Sequence, residues 1–270
     1  VKNIKKIIGV ASGKGGVGKS TVAINLALAL AATGAKVGIL DADIYGPSQP
    51  MMLNTLGKRP IFQDGVLTPI ESHGLQSMSI GYLIDETAPV VWRGPMLGKA
   101  LQQLVQDTDW GNLDYLVVDL PPGTGDVQIT LCQKMSVSGI VIVTTPQDLA
   151  LADVRRACEM FNKLNVSILG VVENMSLYHC PQCGHEEHLF GKGGAEKLAQ
   201  QYELDMLGSI PLDIQIREMT DSGHPPVVQD APSANAKVFH EIAQKVAAKL
   251  ALQPKNYKHI FPKIVVEKTE

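Results

Sequence analysis

Two short stretches of the chain carry residue types that can do chemistry at their spacing. The first is "GKGGVGKST", Gly13 to Thr21, which fits the phosphate-binding pattern G-x-x-x-x-G-K-[ST]. Its glycines let consecutive backbone N–H groups curl around phosphate oxygens where side chains would clash. A helix opening directly after it adds a favourable dipole for anions. Lys19 is placed to neutralise β- and γ-phosphate charge, Ser20 to offer a hydroxyl to Mg2+, and Thr21 to reach the α-phosphate. Gly13, Gly15, Gly16, Val17, Gly18, Lys19, Ser20 and Thr21 are therefore the expected nucleotide cradle. The second stretch is "CPQCGHEEH", Cys180 to His188. Two cysteines two residues apart are half of a metal site, and four ligands are the usual number.

Lys14 is a second lysine inside the cradle, where an ordinary P-loop needs none. In that position it resembles the signature lysine of the deviant Walker A class, which includes the MinD, ParA, ArsA and nitrogenase iron proteins. The resemblance implies a lysine that crosses a dimer interface to the partner's nucleotide, as an arginine finger acts in trans. Two carboxylate-bearing segments complete the expected site. In "LDADIYGP", Asp43 is placed to orient or polarise the attacking water, and Asp41 to hold Mg2+ through water. In "VVDLPPGTGD", Asp119 is the Walker B carboxylate, in the outer shell of Mg2+. Gly123 and Gly125 free the following loop to respond to the γ-phosphate.

The base reads as adenine. A guanine-specific N-K-x-D after a strand is missing, and the nearest match, "NKLN" at Asn162 to Asn165, lacks the Asp. Asn174 can pair with the adenine N6 and N7 edge, because a carboxamide offers both a donor and an acceptor. The backbone around Pro211 to Asp213 is the expected second wall.

These residues need a scaffold, and the apolar pattern describes one. Six short runs, "KIIGVA", "KVGILDAD", "YLVVDLPP", "GIVIVTTP", "SILGVVEN" and "MLGSIPLD", are mostly continuous rather than alternating, as in strands buried on both faces. Segments with helical spacing lie between them, such as "STVAINLALALAATG" and "LADVRRACEMFNKLN". Strand and helix in alternation predict an α/β fold with a doubly wound, mostly parallel sheet and helices on both faces. The functional loops then gather beyond the carboxyl ends of the strands. "VLTPI" and "LQSMSI" read as a small hairpin or edge strands, Pro95 to Gln106 as a helix, and Ser233 to Ala251 as a final amphipathic helix. The expected organisation is one ATPase domain over 1–250, with the C-x-x-C loop at 178–190 and an extension at 251–270.

Composition narrows the partners. The 270 residues are 45% apolar and carry a net charge of −3, which gives no general reason to bind nucleic acid or an anionic membrane. No run of about twenty apolar residues predicts a span, and the strand-like N-terminus, without a small-residue cleavage site, does not read as a signal peptide. Beginning at Val, the chain reads as processed or as part of a longer one. Of its four cysteines, Cys132 and Cys158 sit singly in apolar contexts and read as buried small hydrophobes. Without a disulfide framework, a reducing cytoplasmic setting is expected.

Taken together, "ASGKGGVGKSTVAINLALALAATGAKVGILDADIYGPSQP", "LVVDLPPGTGD", "ENMS" and "CPQCG…FGKGGAEKLA" resemble the Mrp/ApbC family of iron–sulfur carrier ATPases over nearly the whole chain to about Leu250. The resemblance implies ATP hydrolysis, a homodimer, and a labile [4Fe–4S] cluster passed to apo iron–sulfur proteins. Many bacterial members carry a small extra domain before the ATPase domain, which reads here as absent or removed. Eukaryotic relatives carry an N-terminal four-cysteine site, and this chain has none.

Three ligand sets remain for Cys180 and Cys183. One is zinc within a chain, with His185 and His188, at a spacing tighter than zinc motifs usually show. Another is a redox pair, although thioredoxin-like pairs open a helix after the first strand. The last is one cluster shared by two chains, each giving two thiolates. Two other function classes share the P-loop. A positioning ATPase of the MinD/ParA type with structural zinc needs a basic amphipathic C-terminus or a basic DNA-facing surface. A reductase like the nitrogenase iron protein places its cysteines elsewhere.

Overall fold

A computed structural model describes residues 3–83, 100–101, 103–229 and 233–253. The chain runs β1 (Ile4–Ser12), α1 (Lys19–Ala31), β2 (Val37–Asp41), α2 (Gln49–Met52), β3 (Ile61–Gln63), β4 (Val66–Thr68), β5 (Ile70–Ser72) and β6 (Leu75–Ser79). A helix, α3, is described at residues 100–101 and 103–106. Then follow β7 (Leu113–Asp119), α4 (Asp126–Met135), β8 (Gly139–Thr144), α5 (Asp148–Lys163) and β9 (Ile168–Glu173). The last elements are β10 (Tyr178–His179), β11 (Glu186–Glu187), α6 (Gly194–Gln201), β12 (Met206–Ser209), α7 (Ile214–Asp221) and α8 (Ala234–Leu252).

The main sheet has the order β12-β9-β8-β1-β7-β2-β6-β5. All its pairings are parallel except β5 with β6, so the fold is the expected doubly wound α/β arrangement. Each of the six apolar runs is one of its parallel strands. Their continuity has a physical cause, because successive side chains enter different cores. Ile7 and Ala11 pack with Leu151, Val154 and Phe161 of α5. Ile8 and Val10 pack with Leu26 of α1 and with Phe239 and Val246 of α8. The final helix begins where Ser233 accepts a hydrogen bond from the Ala236 N–H, at 3.1 Å.

The 61–79 region meets the expected hairpin and edge strands only in part. "VLTPI" contributes β4, paired with β3 in a separate hairpin. "LQSMSI" contributes β6, a full parallel strand beside β2, with β5 as the edge. Residues 95–99 of the expected helix and 254–270 of the expected C-terminal extension lie outside the described residues. Among the described residues no helix is long and apolar enough to cross a membrane.

Candidate phosphate and metal sites

The cradle sits where β1 ends and α1 begins, at the carboxyl edge of the sheet. Gly18 starts α1 with φ 80°, a left-handed conformation that glycine adopts without a steric penalty. A Cβ there would stand 2.1 Å from Asn174 Nδ2. Gly13 is held close to α5, where a Cβ would stand 2.5 Å from the backbone of Asp153. Gly15 and Gly16, by contrast, face open space. They border a cavity of ≈ 220 Å3 that also touches Lys14, Lys19, Ser20 and Asp43. Phosphate therefore fits: the backbone is open toward the cavity and a buried lysine lies at its base.

Lys19 is 6% exposed and is ion-paired with Asp119, with Asp43 Oδ2 at 3.5 Å. Its Nζ also donates to Ser20 Oγ at 3.4 Å. Asp41 and Asp119 end two adjacent strands and Asp43 follows in the loop after β2, and their charge exceeds what one lysine balances. Burial, reinforced by the neighbouring Asp119, pushes the Asp41 carboxyl up to about 7. Burial also raises Asp43, with Lys19 opposing the shift. This surplus of negative charge suits a cation. Among the described residues no three His, Cys, Asp or Glu side chains converge on one point. The Ser20 hydroxyl beside Lys19 and the nearby carboxylates are oxygen donors, the type that Mg2+ takes.

Asp41 has a second job. Its Oδ2 accepts from the backbone N–H of Ser48 and of Gln49 and from Ser79 Oγ, each at 3.0 Å. Its Oδ1 accepts from the Asp43 N–H at 3.1 Å. The carboxylate thus ties the loop after β2 to the end of β6, and only Oδ1 keeps an acceptor position for a metal-bound water. Gln49 joins the same network. Its Nε2 donates to Asp119 Oδ2 at 2.9 Å and to the Ser20 carbonyl at 3.2 Å. Sequence reading missed both Gln49 and Ser79. The one available signal for Gln49 was a polar residue in the same loop as Asp43.

Asn174 lies against the cradle. It donates from Nδ2 to the Val17 carbonyl at 2.9 Å, and its Oδ1 accepts from the Met175 N–H at 3.0 Å. One donor and one acceptor position remain on the carboxamide. The segment after β9 runs beside the one after β12: Ser176 N–H donates to Ile210 O at 3.0 Å and Leu212 N–H to Leu177 O at 2.8 Å. Pro211 is thereby brought alongside Asn174. Asp213 is engaged elsewhere, capping α7 through Gln215 N–H at 2.8 Å and accepting from Asn235 at 2.9 Å.

The cysteine pair occupies the tip of a hairpin. β10 pairs with β11 in antiparallel fashion, and the Cys180 N–H bonds to His185 O while the Gly184 N–H bonds to Cys180 O, both at 2.9 Å. Cys183 is exposed and Cys180 half-buried. Backbone N–H groups of Cys183 and Gln182 directed at the Cys180 sulfur lower its pKa. The intrachain zinc set is not assembled. No three-residue metal group forms among the described residues, and the Nδ1 bond of His188 to the Ser176 carbonyl, at 2.8 Å, leaves only Nε2 of its ring free. A hairpin tip is also not the helix start of a thioredoxin-like redox pair. Cys132 and Cys158 are buried, and burial pushes each thiol up to about 11, as expected of core residues.

Residues 3–247 match a family model described as ParA: NUBPL iron-transfer P-loop NTPase. An iron-sulfur cluster carrier protein from Pseudomonas fragi is 58% identical over 243 residues, covering 89% of this chain and 85% of its own length. A nucleotide-binding protein from Archaeoglobus fulgidus, solved in complex with ADP, is 39% identical with a TM-score of 0.75, over 85% of this chain and 90% of that one. A cell division ATPase MinD from Pyrococcus furiosus has a TM-score of 0.67 at 23% identity, over 90% of this chain and 99% of that one, a likeness of fold alone.

Proposed function

This chain belongs to the NUBPL iron-transfer P-loop NTPase family, and on that premise we propose that it is an ATP-hydrolysing carrier that passes a [4Fe–4S] cluster to apo iron–sulfur proteins. The observation that carries the reading is the pairing in one chain of an open phosphate cradle with a cysteine hairpin around which no full metal-ligand set gathers among the described residues. A [4Fe–4S] cargo takes four thiolates. A homodimer with the cluster on its two-fold axis supplies them from Cys180 and Cys183 of each chain. Free thiols suit the proposed cytoplasmic setting.

Lys19, Ser20, Thr21 and the backbone of Gly13 to Gly18 bind the phosphates. Asn174 and the backbone at Pro211 to Asp213 border the adenine. Mg2+ neutralises phosphate charge when bound, with Ser20, Asp119 and Asp41 as its holders, directly or through water. Asp43 orients the attacking water, and Lys14 serves the partner's nucleotide.

Anaerobic reconstitution with iron and sulfide, followed by metal analysis and sizing, tests the reading. The expected result is about four iron and four sulfide per dimer, lost in Cys180→Ala and in Cys183→Ala while ATP affinity stays at the parental value. One tightly held zinc per monomer that depends on His185 or His188 overturns it.

A further inference from the structure

Gln49, the first residue of α2, is 1% exposed. Its backbone N–H is fixed by Asp41 and its Nε2 by Asp119 and Ser20. Both side-chain partners are acceptors only, so the nitrogen must face them and the amide cannot be turned over. The oxygen Oε1 is then left buried with no donor. It lies within about 5 Å of the Asp119 carboxylate, one hydrogen bond plus the width of an amide group. The preceding residue, Ser48, borders the phosphate cavity, and Ser48 Oγ is a second buried oxygen without a partner.

A glutamine that served packing alone would satisfy both ends of its amide, since a buried acceptor without a donor is costly. Gln49 satisfies its nitrogen and leaves its oxygen buried without a donor, one amide width from the Asp119 carboxylate. The donor suited to that position is water polarised by a cation, which is a strong hydrogen-bond donor. We propose that Gln49 is a positioning residue for the magnesium–nucleotide complex: Nε2 orients the Asp119 carboxylate and Oε1 accepts from a magnesium-bound water. The assignment rests on the MgATP reading above.

The test compares the parent with Gln49→Met, which keeps the length of the side chain and removes the amide. Affinity for a fluorescent ATP analogue is measured with Mg2+ and with EDTA, beside the half-saturating Mg2+ concentration for turnover. The expected result is unchanged affinity in EDTA, loss of most of the Mg2+-dependent tightening, and a half-saturating Mg2+ concentration raised roughly tenfold, the scale of one charge-assisted hydrogen bond. Gln49→Asn, which withdraws the amide by one methylene, carries the same expectation and replaces Q49M if that variant does not fold. Parental Mg2+ dependence in the variant overturns the assignment. So does an equal loss of affinity with and without Mg2+, which marks a collapsed loop. A parent that binds nucleotide equally in Mg2+ and EDTA removes the magnesium reading itself, and the Gln49 assignment with it.

Discussion

Lys14 and Lys19 belong to one loop, yet the fold gives them different company. Lys19 is buried at the base of the cleft against Asp119 and Asp43. Lys14 is half-buried at the cleft's border, and its ammonium has no partner among the described residues. Two lysines so placed should fail differently. Lys19→Ala removes the cation that faces the phosphates, so MgATP affinity should fall by about tenfold to a hundredfold, the worth of one or two charge-assisted hydrogen bonds. Lys14→Ala should bind ATP within about threefold of the parent and lose turnover by roughly a thousandfold, the lower end of the effect of a cation supplied in trans. Titration with a fluorescent nucleotide and a phosphate-release assay separate the two. Full turnover in Lys14→Ala refutes the trans role.

At the scale of elements, Asp41 joins β2, the start of α2 and the end of β6. Its four acceptor contacts hold the loop that carries Asp43 and Gln49. The same burial lifts its carboxyl from the ordinary 3.8 to about 7. Between those values the folded chain keeps a proton that the unfolded chain has released. Stability contributed by this group therefore falls as pH rises through that window and levels off above it. Thermal unfolding from pH 5 to pH 8 should show a decline in the parent that is shallower in Asp41→Asn, with Asp43 and Glu173, also raised by burial, supplying part of what remains. Identical slopes would place the titration elsewhere. The same junction explains what sequence reading could see. Six strands were legible because burial on both faces leaves almost no polar residue in them. β6 read only as a hairpin or edge strand, because Ser77 and Ser79 interrupt its apolar pattern, and each is buried with a tertiary partner: Ile70 O for Ser77 at 2.9 Å and Asp41 for Ser79 at 3.0 Å. The cradle and strand-end carboxylates were legible because their chemistry lies in contiguous residues. Gln49 reaches Asp119 seventy positions away, a contact that no local pattern announces.

At the scale of the whole molecule, the phosphate cradle and the cysteine hairpin share one edge of the sheet. Asn174 binds the Val17 carbonyl, and two residues further on the Ser176 carbonyl binds His188 at the foot of the hairpin. Both sites are incomplete in one chain on the proposed reading, the first for want of a partner's Lys14 and the second for want of two thiolates. Each ligand should then favour the dimer by its own route, because a ligand that needs two chains makes binding and association one equilibrium. A two-by-two comparison by sedimentation separates the routes. ATP should lower the dimer dissociation constant in the parent and in Cys180→Ala, and much less in Lys14→Ala. Iron and sulfide loading should lower it by roughly tenfold or more in the parent and in Lys14→Ala, the change expected when the cluster is well above its own dissociation constant. It should leave it unmoved in Cys180→Ala. A loaded protein that stays monomeric on dilution while retaining iron would place the cluster within one chain, and the symmetric site would have to be abandoned.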